Sequence, residues 1–213
     1  MIMSKDDYKF YLEADRIALG RKGKKPKHFD YDYIWTFQRL LRKVEYYQNC
    51  KKSIFWKPYL LLLKRKYILL STQLGFSIPL NVFGPGLNIA HRGTIVINNS
   101  TRVGANCRLH ACVNIGTKAG YEDAAPKIGD NVYIGPGAKI FGQIEIANGI
   151  AIGANSVVNR SFFEPNISIA GVPAKKINDR GSEGMLVKAT ERLYENPHTK
   201  NNSIFNRYVK IMD

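Results

Sequence analysis

Between Ile128 and Val158 the apolar positions fall six residues apart without a slip: Ile128, Ile134, Ile140, Ile146, Ile152 and Val158. Four residues after each of the first five sits a second small or apolar side chain, namely Val132, Ala138, Ile144, Ile150 and Ser156, and Gly, Asn and Asp crowd the positions between. A helix repeats about every 3.6 residues and a strand about every two, so a strict step of six calls for a short strand plus a turn, used again and again. Stacked, such units form a parallel β-helix in which inward branched residues pile into one apolar column and Gly and Asn take the corners. The register recurs upstream at Ile97, Val103, Leu109 and Ile115, with Thr101, Cys107, Val113 and Ala119 at the small position. Thirteen residues separate Ile115 from Ile128, so the segment Lys118 to Lys127 is expected to leave the solenoid as a loop. Loops on a rigid scaffold are where function collects.

The amino-terminal part follows a different pattern. Ser4, with Asp6 and Asp7 behind it, reads as the start of a helix from about Lys5 to Leu19, with Gly20 as its stop. The stretch Arg21 to Phe29 is a basic connector in which His28 has no partner in view. Asp30 is positioned to cap a second helix whose apolar stripe is Ile34, Phe37, Leu41 and Val44. Ser53 opens a third, with Pro58 tolerated near its start and Leu60, Leu63, Tyr67, Leu70 and Leu74 continuing the stripe to Gly75. Helices two and three are expected to pack on each other and cover the open end of the solenoid. The first coil is irregular, with Ile78 and Val82 inward and a turn at Gly84-Pro85-Gly86. After Asn178 the chain is polar, with a short helix expected around Met185 to Leu193. The fold class is therefore mainly β: a parallel β-helix over 76–178, preceded by an α-helical region over 1–75 and followed by a tail over 179–213.

Charge sharpens the division. The 213 residues carry a net charge of +15, and residues 1–75 hold 17 Lys and Arg against seven Asp and Glu. Such a surface can attract nucleic acid, anionic lipid or an acidic substrate. No stacking platform or groove-entering helix accompanies it, which argues against nucleic acid. The aromatic and basic flanks of the helical stripes leave peripheral membrane contact open. An odd set of three cysteines, Cys50, Cys107 and Cys112, and a start without a signal peptide point to free thiols in the cytoplasm. Membrane contact, if made, would be at the inner face.

Two histidines, His91 and His110, lie in the coils. A zinc site would need a third imidazole, so no metal is expected. The runs IGDNVYIGPGAKIFG (Ile128 to Gly142), IGANSVV (Ile152 to Val158) and AGVPAKKI (Ala170 to Ile177) resemble the hexapeptide-repeat acyltransferases, and among them the serine acetyltransferase branch. The resemblance covers roughly Phe76 to Asn178. It implies a left-handed coil of triangular section, a homotrimer with active sites between subunits, and acetyl-CoA as co-substrate in the groove. By the same resemblance His91 stands where the family places its general base, with His110 the second candidate. Gly116, Gly135, Ala138 and Ala154 are then the backbone positions close to the cofactor, and Lys175 or Lys176 the partners of its phosphates. Asn114, Tyr121, Glu122 and Asp123 are candidates for holding the acceptor's hydroxyls.

The chain also departs from the serine-specific pattern. Ala90 stands where the family has an acid before the histidine, Phe76 where it has the Asp that orients the imidazole, and Ala124-Ala125-Pro126 where it has Arg-His-Pro. A zwitterion needs charged partners to offset its lost hydration. A neutral sugar hydroxyl asks less charge of the pocket, so a sugar acceptor is expected. The short basic helical leader resembles that of acetyltransferases that decorate surface polysaccharides, which implies a place in surface-polysaccharide biosynthesis. The alternatives are serine O-acetylation in cysteine biosynthesis and a non-catalytic trimeric scaffold.

Overall fold

The computed structural model describes residues 1–26 and 32–195. His28 and Asp30, singled out above, lie outside the described residues. Three sheets form the walls of a parallel β-helix. One stacks Phe76–Ser77, Ile95–Ile97, Asn114–Gly116, Lys139–Phe141 and Val157–Val158. The second holds Arg102–Val103, Lys127–Ile128 and Glu145–Ile146. The third runs Asn88–Ile89, Arg108–Leu109, Tyr133–Ile134, Ala151–Ile152, Ser168–Gly171 and Ala174–Asn178, the last pair closing antiparallel.

Register follows the step of six. Ile128 lies beside Ile146, Ile134 beside Ile152 and Ile140 beside Val158, so one coil takes 18 residues. Val103, Leu109 and Ile115 lie beside Ile128, Ile134 and Ile140, which are 25 residues on, so seven residues are extruded between them. The inward column is closed to solvent: Leu109, Ile115, Ile134, Ile140, Ile152 and Val158 are fully buried, as are Thr101, Ala138 and Ser156 in the small register. Ala119, assigned to that register by spacing, is exposed in the loop, and buried Pro126, six residues before Val132, takes the inward place instead. Corners fall on residues that tolerate the left-handed region, with Asn106, Asn131 and Asn155 at φ of 56°, 57° and 54°. The amide of Asn106 donates to Oδ1 of Asn131 across one such corner at 2.8 Å.

The amino-terminal helices close one end of this prism. α1 (Lys5–Ala18) is capped by Ser4, whose hydroxyl accepts from the Asp7 N–H. α2 (Tyr33–Cys50) is capped by Asp32 rather than Asp30, because the Asp32 carboxylate is the one that reaches the Trp35 N–H. After Ser53 the chain makes a 3-10 turn, Ile54–Trp56, before α3 (Lys57–Leu74), which ends on Gly75 in the left-handed region. Phe37 and Leu41 of α2 and Leu74 of α3 join the apolar column, Phe37 standing edge-on to Phe76 at 5.0 Å. Among the described residues no helix is long and apolar enough to cross a membrane.

A buried ionic cluster fixes the helices to the first coil. Arg42 is fully buried and donates through Nε to Asp15 at 2.8 Å, through Nη1 to Glu45 at 3.1 Å and to the Phe83 carbonyl at 2.9 Å, and through Nη2 to the Gly84 carbonyl at 2.7 Å. Asp15 in turn accepts the N–H groups of Gly86 and Leu87. Gln38 spans the next step, donating to the Leu87 carbonyl and accepting from the Ile89 N–H. Gly84 is required here, since a Cβ would sit 2.7 Å from the backbone of Gly104.

The carboxy-terminal part returns along the coil. α4 (Ala189–Glu195) starts later than the helix expected at Met185, because Thr190 is held by Asn106 through two hydrogen bonds of 2.7 and 3.1 Å. Ala189 and Leu193 then pack with Phe10, Ala14 and Ala18 of α1.

Replacing Arg42 by Ala would strand two buried carboxylates, so Arg42→Ala is expected to cost about 3–5 kcal/mol in urea-induced unfolding. A loss below about 1 kcal/mol would show that the cluster does not hold the leader in place.

Candidate active site

Ile89 and Ile97 lie eight residues apart, two more than the register requires, although both remain inward and buried. The surplus swells the corner between the third sheet and the first, and His91 stands on it, exposed. Below it, the Ala90 N–H donates to the Leu109 carbonyl at 2.9 Å, which sets His110 in the next coil beneath the same corner. The two imidazole rings are 5.9 Å apart, and His110 also meets the ring of Tyr133 at 5.1 Å.

The environments of the two rings differ. His110 Nε2 is buried without a hydrogen-bond partner, as is the Nε of Arg108 two residues before it. Burial, then the charge of Arg108, then His91 push the His110 pKa below the ordinary 6.5. A neutral imidazole therefore lies next to His91 at pH 7. Phe76 is buried against Phe37 and brings no carboxylate to this corner. Sequence reasoning missed Arg108 and Tyr133, though the register offered the signal, since they pair across adjacent coils beside His110.

The remaining expected residues distribute unevenly. Asn114 is exposed on the first sheet, between Val96 and Lys139 of the adjacent coils. The extruded loop departs two residues after that strand, and Tyr121, Glu122 and Asp123 are exposed on it. Lys118 lies over the Tyr121 ring at 5.1 Å. The exposed part is shorter than expected, because Ala125 and Pro126 are buried and Lys127 already belongs to the next strand. Gly116 has room above it, with only Asn114 Oδ1 near a would-be Cβ at 3.4 Å. Gly135 is packed against the next coil, where a Cβ would meet Ala154 N and Ile152 O at 2.8 Å. Ala138 is fully buried, with its N–H bonded to the Gly135 carbonyl and its own carbonyl accepting from the Asn114 N–H. Ala154 is exposed at a corner. Lys176 is engaged by Glu164 at 2.6 Å and by Asp179, whereas Lys175 has no ion pair among the described residues. A separate cavity of about 360 Å³, lined by Val82, Phe83, Arg102, Asn131 and Tyr194 among others, includes none of these residues.

No family model matches the chain. The serine acetyltransferase of Salmonella typhimurium is 34% identical over 122 residues, covering 54% of this chain and 44% of its own length. The chain thus spans less than half the length of that relative. Among solved structures, serine acetyltransferase from Brucella abortus is 26% identical with a TM-score of 0.65, covering 83% of this chain and 71% of that one. The same enzyme in complex with coenzyme A is 27% identical with a TM-score of 0.65, over 83% and 70%. The chain accordingly has the fold class read from its sequence, a left-handed parallel β-helix with an N-terminal α-helical region. The expected sugar acceptor and the link to polysaccharide synthesis are overturned, because the similar proteins are serine acetyltransferases. Charge absent at Ala90, Phe76 and Ala124 is present elsewhere, on the extruded loop, at Lys118, Glu122 and Asp123.

In an NMR pH titration the His110 ring is expected to have its midpoint below 6.5. His91→Ala should move that midpoint upward. Because the folded pKa is lowered, the unfolded chain binds the extra proton, and stability is lost as pH falls from 6.5 through the folded midpoint. A midpoint above 6.5 would contradict the buried, unpartnered placement of Nε2.

Proposed function

We propose that this serine acetyltransferase-like hexapeptide-repeat protein is an acetyl-CoA-dependent O-acetyltransferase whose acceptor is serine. The observation that supports the reading most is His91, exposed on a swollen corner of a fold shared with serine acetyltransferases, one of them solved with coenzyme A. The site is completed by a neighbouring copy in a homotrimer, which gives the exposed imidazole a wall to face.

In the reaction His91 takes the proton of the serine hydroxyl as its oxygen attacks the thioester carbonyl. The new C–O bond forms, the tetrahedral oxyanion collapses, the C–S bond breaks, and the coenzyme A thiolate leaves with the proton returned by the imidazolium. The neutral His110 beneath adds no second positive charge to oppose protonation of His91. Asn114 offers an amide to the developing oxyanion or the acceptor. The extruded loop carries both signs of charge, Lys118 for a carboxylate and Glu122 and Asp123 for an ammonium, so a zwitterion can recover part of its lost hydration. On the cofactor side, Gly116 and Ala154 leave room for the pantetheine arm. Lys175, which has no ion pair among the described residues, meets its phosphates in preference to Lys176.

Release of the coenzyme A thiol, followed with and without L-serine, tests the assignment. Saturable, serine-dependent release with O-acetylserine identified by mass spectrometry is the expected result. Equal release with and without serine would overturn it. The paired change Glu122→Gln and Asp123→Asn should raise the KM for serine about tenfold while kcat changes little, as loss of uniform binding requires. An unchanged KM would remove the loop from acceptor binding.

A further inference from the structure

The third helix presents an apolar face that the fold leaves uncovered. On α3 the buried residues Leu63, Ser71 and Leu74 lie on one side, against α2 and the first coil. On the opposite side Leu61, Leu62, Ile68 and Leu69 are 71%, 47%, 61% and 56% exposed. At about 100° per residue these four span an arc of about 120°, wide enough for an interfacial face. Phe55, 88% exposed in the preceding turn, extends it beyond the helix start.

The cations are arranged around this arc. Lys57 and Lys64 fall along one edge, Lys66 along the other, and Arg65 in the middle, where its long stem can lie flat and carry the guanidinium outward. Lys51 and Lys52 precede the turn. None of these six forms an ion pair among the described residues. Between Tyr33 and Gly75 the single carboxylate is Glu45, and it is buried on Arg42.

We infer that the α3 face docks on the surface of a lipid bilayer rich in anionic headgroups, with Phe55, Leu61, Ile68 and their neighbours in the headgroup–acyl boundary and the edge cations on the phosphates. Apolar burial and attraction to anionic lipid together make such a surface bind, and neither suffices alone. A second copy of the chain fits the charges less well. A two-fold contact through this face would set Arg65 and the flanking lysines against their own counterparts with no carboxylate to separate them. The bilayer contact is independent of the acetyl-transfer reading.

Flotation of the full chain with vesicles tests this. Binding is expected to vesicles containing about one-third phosphatidylglycerol in phosphatidylcholine and not to phosphatidylcholine alone, with a blue shift of emission that Trp56→Phe abolishes. Trp56 is 39% exposed at the start of the face, and the other tryptophan, Trp35, is buried, so the signal reports the contact. The pair Lys64→Gln and Lys66→Gln should weaken binding on the order of tenfold. The pair Leu61→Glu and Ile68→Glu, both at exposed positions, should abolish it while circular dichroism stays unchanged. Three results would overturn the inference. They are no flotation with anionic vesicles, binding indifferent to the leucine and isoleucine changes, or sedimentation showing that those changes dissociate an assembly formed through this face.

Discussion

Everything in this molecule depends on one column of stacked aliphatic side chains. Each inward Ile, Leu or Val lies on its counterpart one coil away, 18 residues on where the coil is regular, and the small residues of the second register pack beside it. A single coil buries too little to persist, whereas a stack shares its apolar area between neighbours and becomes rigid. That rigidity lets irregularities appear in chosen places without disturbing the rest. The swollen corner at His91 and the seven extruded residues after Ile115 are two such places, and the inward residues on either side of both remain buried.

The open end of the column would expose that apolar area, and the helical leader covers it. Phe37, Leu41 and Leu74 continue the column into α2 and α3. Arg42 with Asp15 and Glu45 fixes the leader's position by bonding the Phe83 and Gly84 carbonyls and the Gly86 and Leu87 N–H groups. A buried ionic cluster of this kind contributes less to stability than to a single arrangement, since its desolvation offsets much of its attraction. Here it clamps the coil a few residues before His91. The corner that carries His91 is therefore set from one side by the leader and from below by the coil carrying His110.

Much of this was legible in the sequence because burial imposes a period. The coils, the extruded loop and the three leading helices all follow from spacing, caps and breakers. What was not legible lacks a period. The return of residues 182–195 along the coil rests on single polar contacts, such as Asn106 with Thr190 and the Ser182 hydroxyl with the Asn131 carbonyl, and on a short apolar patch around Ala189 and Leu193. The cap of α2 moved by two residues because Asp30 and Asp32 are chemically identical and only geometry chooses between them. Ala138, by contrast, follows the period: its place in the small register marks it as core, and its side chain is fully buried. The acceptor was not legible because the charges absent at Ala90, Phe76 and Ala124 stand at other positions, Lys118, Glu122 and Asp123 on the extruded loop, and no period relates those positions to a binding geometry.

In the proposed reaction the imidazole of His91 removes the acceptor's proton. The rate of O-acetylserine formation by His91→Ala, compared with the intact chain at saturating acetyl-CoA, tests this most directly. Loss of general-base assistance predicts a fall of about 10²- to 10⁴-fold with the fold unchanged by circular dichroism. Turnover within about twofold of the intact chain would contradict it, for then proton removal would not depend on the residue at the swollen corner.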